Sequence, residues 1–203
     1  MDIASDMVGV PSKEDGGWMQ IANGHLFHPL DPRTDEVFIE DIAQSLSRQI
    51  RYNGMSDGVI NVAQHSCQCA WLAEQSGGDA KVQLAMLMHD AAEAYIGDMI
   101  RPLKVLIPEF AKIEDKIMAT IVERFNLPSI SHKAQKYYDN MAMAWEKRDM
   151  FRSSREWPGM LEVPSWIPVM SEWGFDYSST RFLRMFEYLK LEIQFSTGLV
   201  TSK

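Results

Sequence analysis

The segment LMHDAAEAYIGDM, residues 87–99, places His89, Asp90, Glu93 and Asp98 within ten positions. An imidazole and a carboxylate side by side near the buried end of an apolar helix are costly unless they find partners, and a divalent cation satisfies both. Adjacent helical residues point about 100° apart, so His89 and Asp90 reach one ion only where it sits beside the helix end. Glu93 shares a face with His89 at i,i+4 and with Asp90 at i,i+3, which suits it to hold a water that the ion polarises. Further ligands are expected from other helices: His65, flanked by the apolar run VINVA, and Asp139, between Tyr138 and Met141. Imidazole and carboxylate donors suit zinc, manganese, cobalt or iron(II). Singly, a helical histidine is usually a hydrogen-bonded core residue and an aspartate a solvated group or a cap. The order His…His-Asp…Asp on successive helical segments is what points to a metal centre.

The elements that must position these residues are read from periodicity. Residues 1–17 are small, polar and aperiodic, and predict a mobile tail. WMQIANGHLFHPL sets Asn23-Gly24 between two apolar segments, which predicts a hairpin with a type I′ turn. Its His25 and His28 read better as surface or packing residues than as ligands. Ile39, Ile42, Ala43, Leu46 and Ile50 predict a helix ending near Arg51-Tyr52-Asn53-Gly54. Further helices are expected over 59–75 and 79–96, the latter closed by Gly97. Pro102 and Pro108 bracket a short element. Phe110, Ile113, Ile117, Ile121 and Phe125 then form a clean amphipathic stripe that Pro128 ends. Ser131 is a plausible N-cap for the helix that carries Ala134, Tyr138, Met141 and Trp145. Residues 152–177, rich in Trp and Pro, predict an irregular excursion with at most one short helix, serving as a lid, an oligomer contact or a packed loop. A last helix is expected over 179–195. The fold class is mostly all-α with a small N-terminal β-hairpin, as one domain over residues 18–203.

Composition narrows the partners. The chain has 203 residues, 46% hydrophobic and 24% charged, an ordinary globular balance. Its net charge of −8 and pI near 5.1 disfavour a binder of duplex nucleic acid. A few local cations and a metal still suffice for a small phosphorylated ligand. No apolar run is long enough to span a bilayer, and the N-terminus lacks a signal-peptide pattern, so a cytoplasmic protein without membrane partners is expected. Cys67 and Cys69 lack a second Cys pair to complete a thiolate site, and inside a helix they read as small buried hydrophobes.

The ordered set resembles the HD-domain phosphohydrolase superfamily, whose helical core carries H…HD…D around a divalent metal. From about Trp18 to Phe151 the chain is similar to a phage and prophage branch, through HPLDP, IEDIAQSLSRQIRYNG, VAQHS, MHDAAEAYIGDMIRPLK, and Asp139 followed by EKRDM. The resemblance implies an HD-type helical bundle in which His65, His89, Asp90 and Asp139 bind the metal. It implies that Glu93 positions or deprotonates the attacking water, with Asp98 a second acidic residue of the site. Arg51, Lys104 and Lys136 match phosphate-binding positions, and Tyr52 with Asn53 lies where sugar or base is contacted. A second magnesium, manganese or cobalt ion arriving with substrate is compatible with the branch. Glu146 and Asp149 stand near the face of Asp139; support of the ligands through Arg148 and a purely structural ion-pair network are both open, and neither joins the catalytic set.

The implied reaction is hydrolysis of the phosphoester at the 5′ carbon of a purine deoxynucleotide. The branch resembles enzymes that split dATP into 2′-deoxyadenosine and triphosphate, in phage-type control of the nucleotide pool within the host cytoplasm. The alternative is a 5′-deoxynucleotidase acting on monophosphates, and relatives of this kind lead us to expect a homo-oligomer. Gly54 stands where relatives carry a bulkier residue that discriminates purines, a departure from the adenine-selective pattern. A non-catalytic nucleotide-binding protein of the same fold predicts a lost ligand or a lost Glu93, and none is missing. A cyclic-nucleotide phosphodiesterase needs more ligands for a second tightly held metal than five histidines suggest.

Overall fold

The computed structural model describes residues 17–152 and 155–196. The predicted tail, apart from Gly17, lies outside the described residues. Trp18 onward forms the hairpin: β1 (Met19–Gln20) pairs antiparallel with β2 (Leu26–Phe27). The turn is not the predicted type I′. Gly24 N–H donates to the Ile21 carbonyl at 2.9 Å, and of the two turn residues only Gly24 has positive φ, at 89°. The longer loop lets Asn23 clasp both oxygens of Asp41, at 3.0 and 2.6 Å, fastening the hairpin to the next helix. His25 packs on Phe38 and His28 pairs with Glu36, as their packing reading expects.

That helix, α1 (Ile39–Arg48), stops three residues before Arg51. The chain turns extended, bridges Ile50 to Asn61, and between them makes a tight turn over Arg51–Gly54. Helix α2 (Val62–Gln75) is buried almost all round, the pattern of a central helix. Asn61 caps it by accepting from Gln64 N–H at 2.9 Å and also donates to Ser178 at 2.9 Å, pinning the cap to the far helix.

The predicted helix over 79–96 is two pieces. Helix α3 (Ala80–Leu87), capped by Asp79, ends before His89, and α4 (Glu93–Ile96) begins after a run of turns at 88–92. The segment contains good helix formers and no Gly or Pro, so propensity alone continues it. One local and one tertiary side-chain bond favour the break instead: His89 Nδ1 donates to the Met86 carbonyl at 2.7 Å, and Gln49 Nε2 to the Glu93 carbonyl at 2.8 Å.

Pro102 sits inside the first turn of α5 (Arg101–Lys104), and α6 (Pro108–Phe125) buries Ile117 and Ile121 as its stripe predicts. Asn126, left-handed at φ 47°, ends α6 before Pro128 is reached. Ser131 caps α7 (His132–Met150) by accepting from Ala134 N–H at 3.2 Å. The excursion after α7 contains no helix among its described residues, and α8 (Phe175–Ser196) starts earlier than expected. It is tied down: Gln64 bonds Ser171 O and Trp173 N, while Arg148 bonds the carbonyls of Ile167 and Pro168. Helices α1, α3, α7 and α8 surround α2, which fixes His65 at the centre of the bundle. No described helix is long and apolar enough to cross a membrane.

Candidate metal centre and its cavity

His65, mid-way along buried α2, is fully inaccessible, and its Nδ1 lies 2.6 Å from Glu146 Oε1 of α7. Because Nδ1 is engaged by that carboxylate, Nε2 points the other way, towards Asp90 and Asp139. His89 repeats the arrangement with a backbone acceptor: Nδ1 is committed to Met86 O, and the buried Nε2 has no hydrogen-bond partner. The broken helix does this, since the turn after α3 swings His89 and Asp90 towards α2 and α7.

Four predicted ligands converge. His65 Nε2 lies 3.3 Å from Asp139 Oδ1 and 3.6 Å from Asp90 Oδ2, and His89 Nε2 lies 3.2 Å from Asp90 Oδ2. For metal bonds of 2.0–2.2 Å, tetrahedral ligand atoms stand roughly 3.3–3.6 Å apart. These separations match the edges of a coordination shell. On the buried side, His65, Cys69 and His89 form a group able to hold a metal ion, their ligand atoms within 4.8 Å of one another.

The electrostatics are those of carboxylates compensated by neighbouring cationic groups. Burial and Arg51 pull the His65 pKa down, yet Cys69, Glu146 and Asp139 outweigh them and hold it well above the ordinary imidazole value. Burial raises the Asp90 and Asp139 carboxyls, but the neighbouring histidines, with Arg51 for Asp90, hold both below the usual range.

Glu93 is 6% exposed, and burial, then Asp90 and Asp98, push its carboxyl up to about 10. Its Oε2 has no hydrogen-bond partner. The face-sharing expected between Glu93 and His89 assumed a continuous helix, which the turns at 88–92 replace; Glu93 reaches the cavity from the first residue of α4. Gly97, at φ 85° and ψ 157°, turns the chain sharply after α4 and returns Asp98 to the same wall. Burial first, and Asp90 next among the groups that raise it, lift the Asp98 carboxyl too.

The centre opens into a cavity of about 620 Å³ whose lining includes Arg51, Tyr52, Asp90, Glu93, Asp98, Lys104, Lys136 and Asp139. Apart from the two histidines and Asn53, the residues of the predicted site therefore line this one cavity. Two of them are less free than expected. The Tyr52 hydroxyl donates to Glu146 Oε2 in a short bond, leaving its ring, which meets Phe151 and Trp157 edge-on, as the face it offers. Lys104 is paired with Glu114 at 2.5 Å. Arg51 donates Nε to Glu146 Oε2 at 3.2 Å and holds its NH1 3.8 Å from Asp90.

Glu146 was outside the expected catalytic set, and it organises this one. Fully buried, it holds His65, Arg51 and Tyr52 together. Its spacing of seven from Asp139 was the available signal, since two helical turns bring both to neighbouring faces. Arg148 does not reach the site; it pairs with Asp149 and the excursion. Arg101, His132 and Trp157 also line the cavity and were not anticipated.

No protein-family model matches the chain. It is 37% identical over 132 residues to "Uncharacterized protein YfdR" of Escherichia coli (strain K12), which covers 64% of this chain and 71% of that protein. It is 35% identical over 118 residues to "Uncharacterized protein RCAP_rcc00048" of Rhodobacter capsulatus, covering 56% of this chain and 60%, under two thirds, of that protein. The chain belongs to the same family as YfdR.

Proposed function

We propose that this member of the YfdR family is a metal-dependent phosphohydrolase of the HD-domain type, acting on purine deoxynucleotides. One observation carries the reading: two histidines whose Nδ1 atoms are taken by protein acceptors aim Nε2 at two carboxylates on the floor of a cavity with cationic walls.

His65, His89, Asp90 and Asp139 would hold the ion, which when bound lowers the pKa of a water and polarises a phosphoryl oxygen. The chain's own residues do the rest. Glu93, whose Oε2 has no hydrogen-bond partner, would take the water's proton once the ion's charge has released its own. Positive charge at Asp90 would offset the anionic part of that shift and bring Glu93 towards the neutral range. Arg51, Arg101 and Lys136 offset charge growing on the phosphoryl oxygens. Tyr52 and Trp157 offer aromatic faces to sugar or base. A volume of about 620 Å³ lies within the usual range of small-ligand sites.

The leading reaction is dATP plus water to 2′-deoxyadenosine plus triphosphate. The Lys104–Glu114 pair favours the second reading, a 5′-deoxynucleotidase for monophosphates, because it withdraws one cation from a polyphosphate tail. Exposed Leu103, Val105, Leu106 and Ile107 beside the cavity support self-association.

The deciding experiment incubates the protein with each deoxynucleoside mono-, di- and triphosphate plus manganese or cobalt and separates the products. Deoxyadenosine and triphosphate are expected; orthophosphate from monophosphates alone moves the assignment to the nucleotidase, and no turnover with any of them overturns it. Asp90→Ala is expected to lose metal, whereas Glu93→Gln keeps metal and loses about 10²–10⁴-fold in turnover. Full turnover in Glu93→Gln refutes the base.

A further inference from the structure

The buried side of the centre carries a donor that the mechanism above does not use. Cys69 stands one turn beyond His65 on α2, at i,i+4, so their side chains share a face. Its Sγ is 3.5 Å from His65 Nε2, and its other polar neighbour, the Tyr138 carbonyl oxygen, is 4.0 Å away. With a metal–sulfur bond near 2.3 Å and a metal–nitrogen bond near 2.0 Å, tetrahedral sulfur and nitrogen ligands are separated by roughly 3.5 Å. The second observation is His89: its side chain is 3% exposed, and its Nε2, 3.2 Å from Asp90 Oδ2 without a hydrogen bond to it, lies within 4.8 Å of both the Cys69 sulfur and His65.

We propose that Cys69 is a metal ligand, and that the centre holds a borderline or soft divalent cation such as zinc, cobalt(II) or cadmium through His65 Nε2, His89 Nε2 and the Cys69 sulfur. Asp90 and Asp139, the carboxylates assigned to the ion above, complete the shell, with the sulfur as an added donor on its buried side. The thiol proton leaves to solvent as the metal–sulfur bond forms, with no change of oxidation state. This inference rests on the metal-centre part of the function proposed above and goes beyond it. Thiolate ligation selects against magnesium and manganese, which prefer oxygen donors. Cys67, two residues away, has a different setting: it lines a separate cavity with Trp71, Trp145 and Arg181.

The test titrates the metal-free full chain with cobalt(II) under reducing, anaerobic conditions and reads the absorption spectrum. The expected result is a near-ultraviolet sulfur-to-cobalt charge-transfer band that saturates with the visible ligand-field bands. Cys69→Ser and Cys69→Ala lose that band and keep the ligand-field bands, whereas Cys67→Ser keeps both. In competition, zinc affinity of Cys69→Ser falls by at least about tenfold while manganese affinity changes by less than about twofold. Ligand-field bands without charge transfer in the unmodified protein overturn the Cys69 assignment and leave the phosphohydrolase reading standing. A charge-transfer band that persists in Cys69→Ser also overturns it. Failure to bind cobalt at all overturns both. Because the unmodified protein's spectrum decides, the inference does not depend on a variant folding.

Discussion

Glu146 and Asp149 stand one helical turn apart on α7, and their surroundings diverge. Glu146 turns inward, where no water reaches it, and meets an imidazole, a guanidinium and a phenol. Asp149 turns towards the excursion, accepts both nitrogens of Arg148 at 2.7 Å, and takes the Met170 N–H at 2.8 Å. Both carboxyls are held below their ordinary values against the opposing effect of burial, Glu146 chiefly by Arg51 and His65, Asp149 chiefly by Arg148 and Met170 N–H. A lowered pKa therefore does not separate a carboxylate that serves chemistry from one that serves the scaffold. The partners do: those of Glu146 line or lie beneath the cavity, and those of Asp149 hold a loop.

Breaking the inward member is expected to have the largest effect. Glu146→Ala strands Arg51 and the His65 Nδ1 proton, and thermal or urea unfolding should show a loss of about 3–5 kcal/mol. A loss under about 1 kcal/mol would mean that water replaces the carboxylate and the burial argument fails. Glu146→Gln keeps the shape and one acceptor, so the fold should survive while metal affinity by calorimetry falls about 10–100-fold. The outward member supplies the contrast. Asp149→Ala should reduce stability by about 1–2 kcal/mol, through the lost Met170 N–H and Arg148 bonds, and leave turnover at saturating metal unchanged. Turnover that falls with Asp149 would erase the distinction. The smallest effect belongs to the paired cation: Lys104→Ala should raise KM for a triphosphate by only about two- to fivefold, because Glu114 already holds that charge. Lys136→Ala should raise it more.

Much of this was legible in the sequence, for physical reasons. The stripe from Phe110 to Phe125 and the Ser131 cap are local signals, and local signals survive folding. The convergence of His65, His89, Asp90 and Asp139 was legible as polar groups set in apolar helices that demand partners. The break at 88–92 was not, because it follows from side chains such as Gln49 reaching across the fold, and no breaker residue announces it. Glu146 was visible by spacing from Asp139, but its bond to His65 spans 81 positions. Arg51 and the lysines rested on resemblance; what the sequence left out is which of them a carboxylate already engages. Cys67 and Cys69 are buried inside α2 as expected, and the i,i+4 spacing of Cys69 from His65 is what sets the two thiols apart.

The shared carboxylate has a further consequence. Glu146 touches His65 with one oxygen and Arg51 with the other. A change of charge at either end alters what the other receives. Under the function proposed above, loading the ion and binding the anion become linked equilibria, and linkage is reciprocal: whatever factor the cation adds to phosphate affinity, phosphate returns to the cation. In Glu146→Gln that mutual factor should shrink towards one, even where each affinity alone remains measurable.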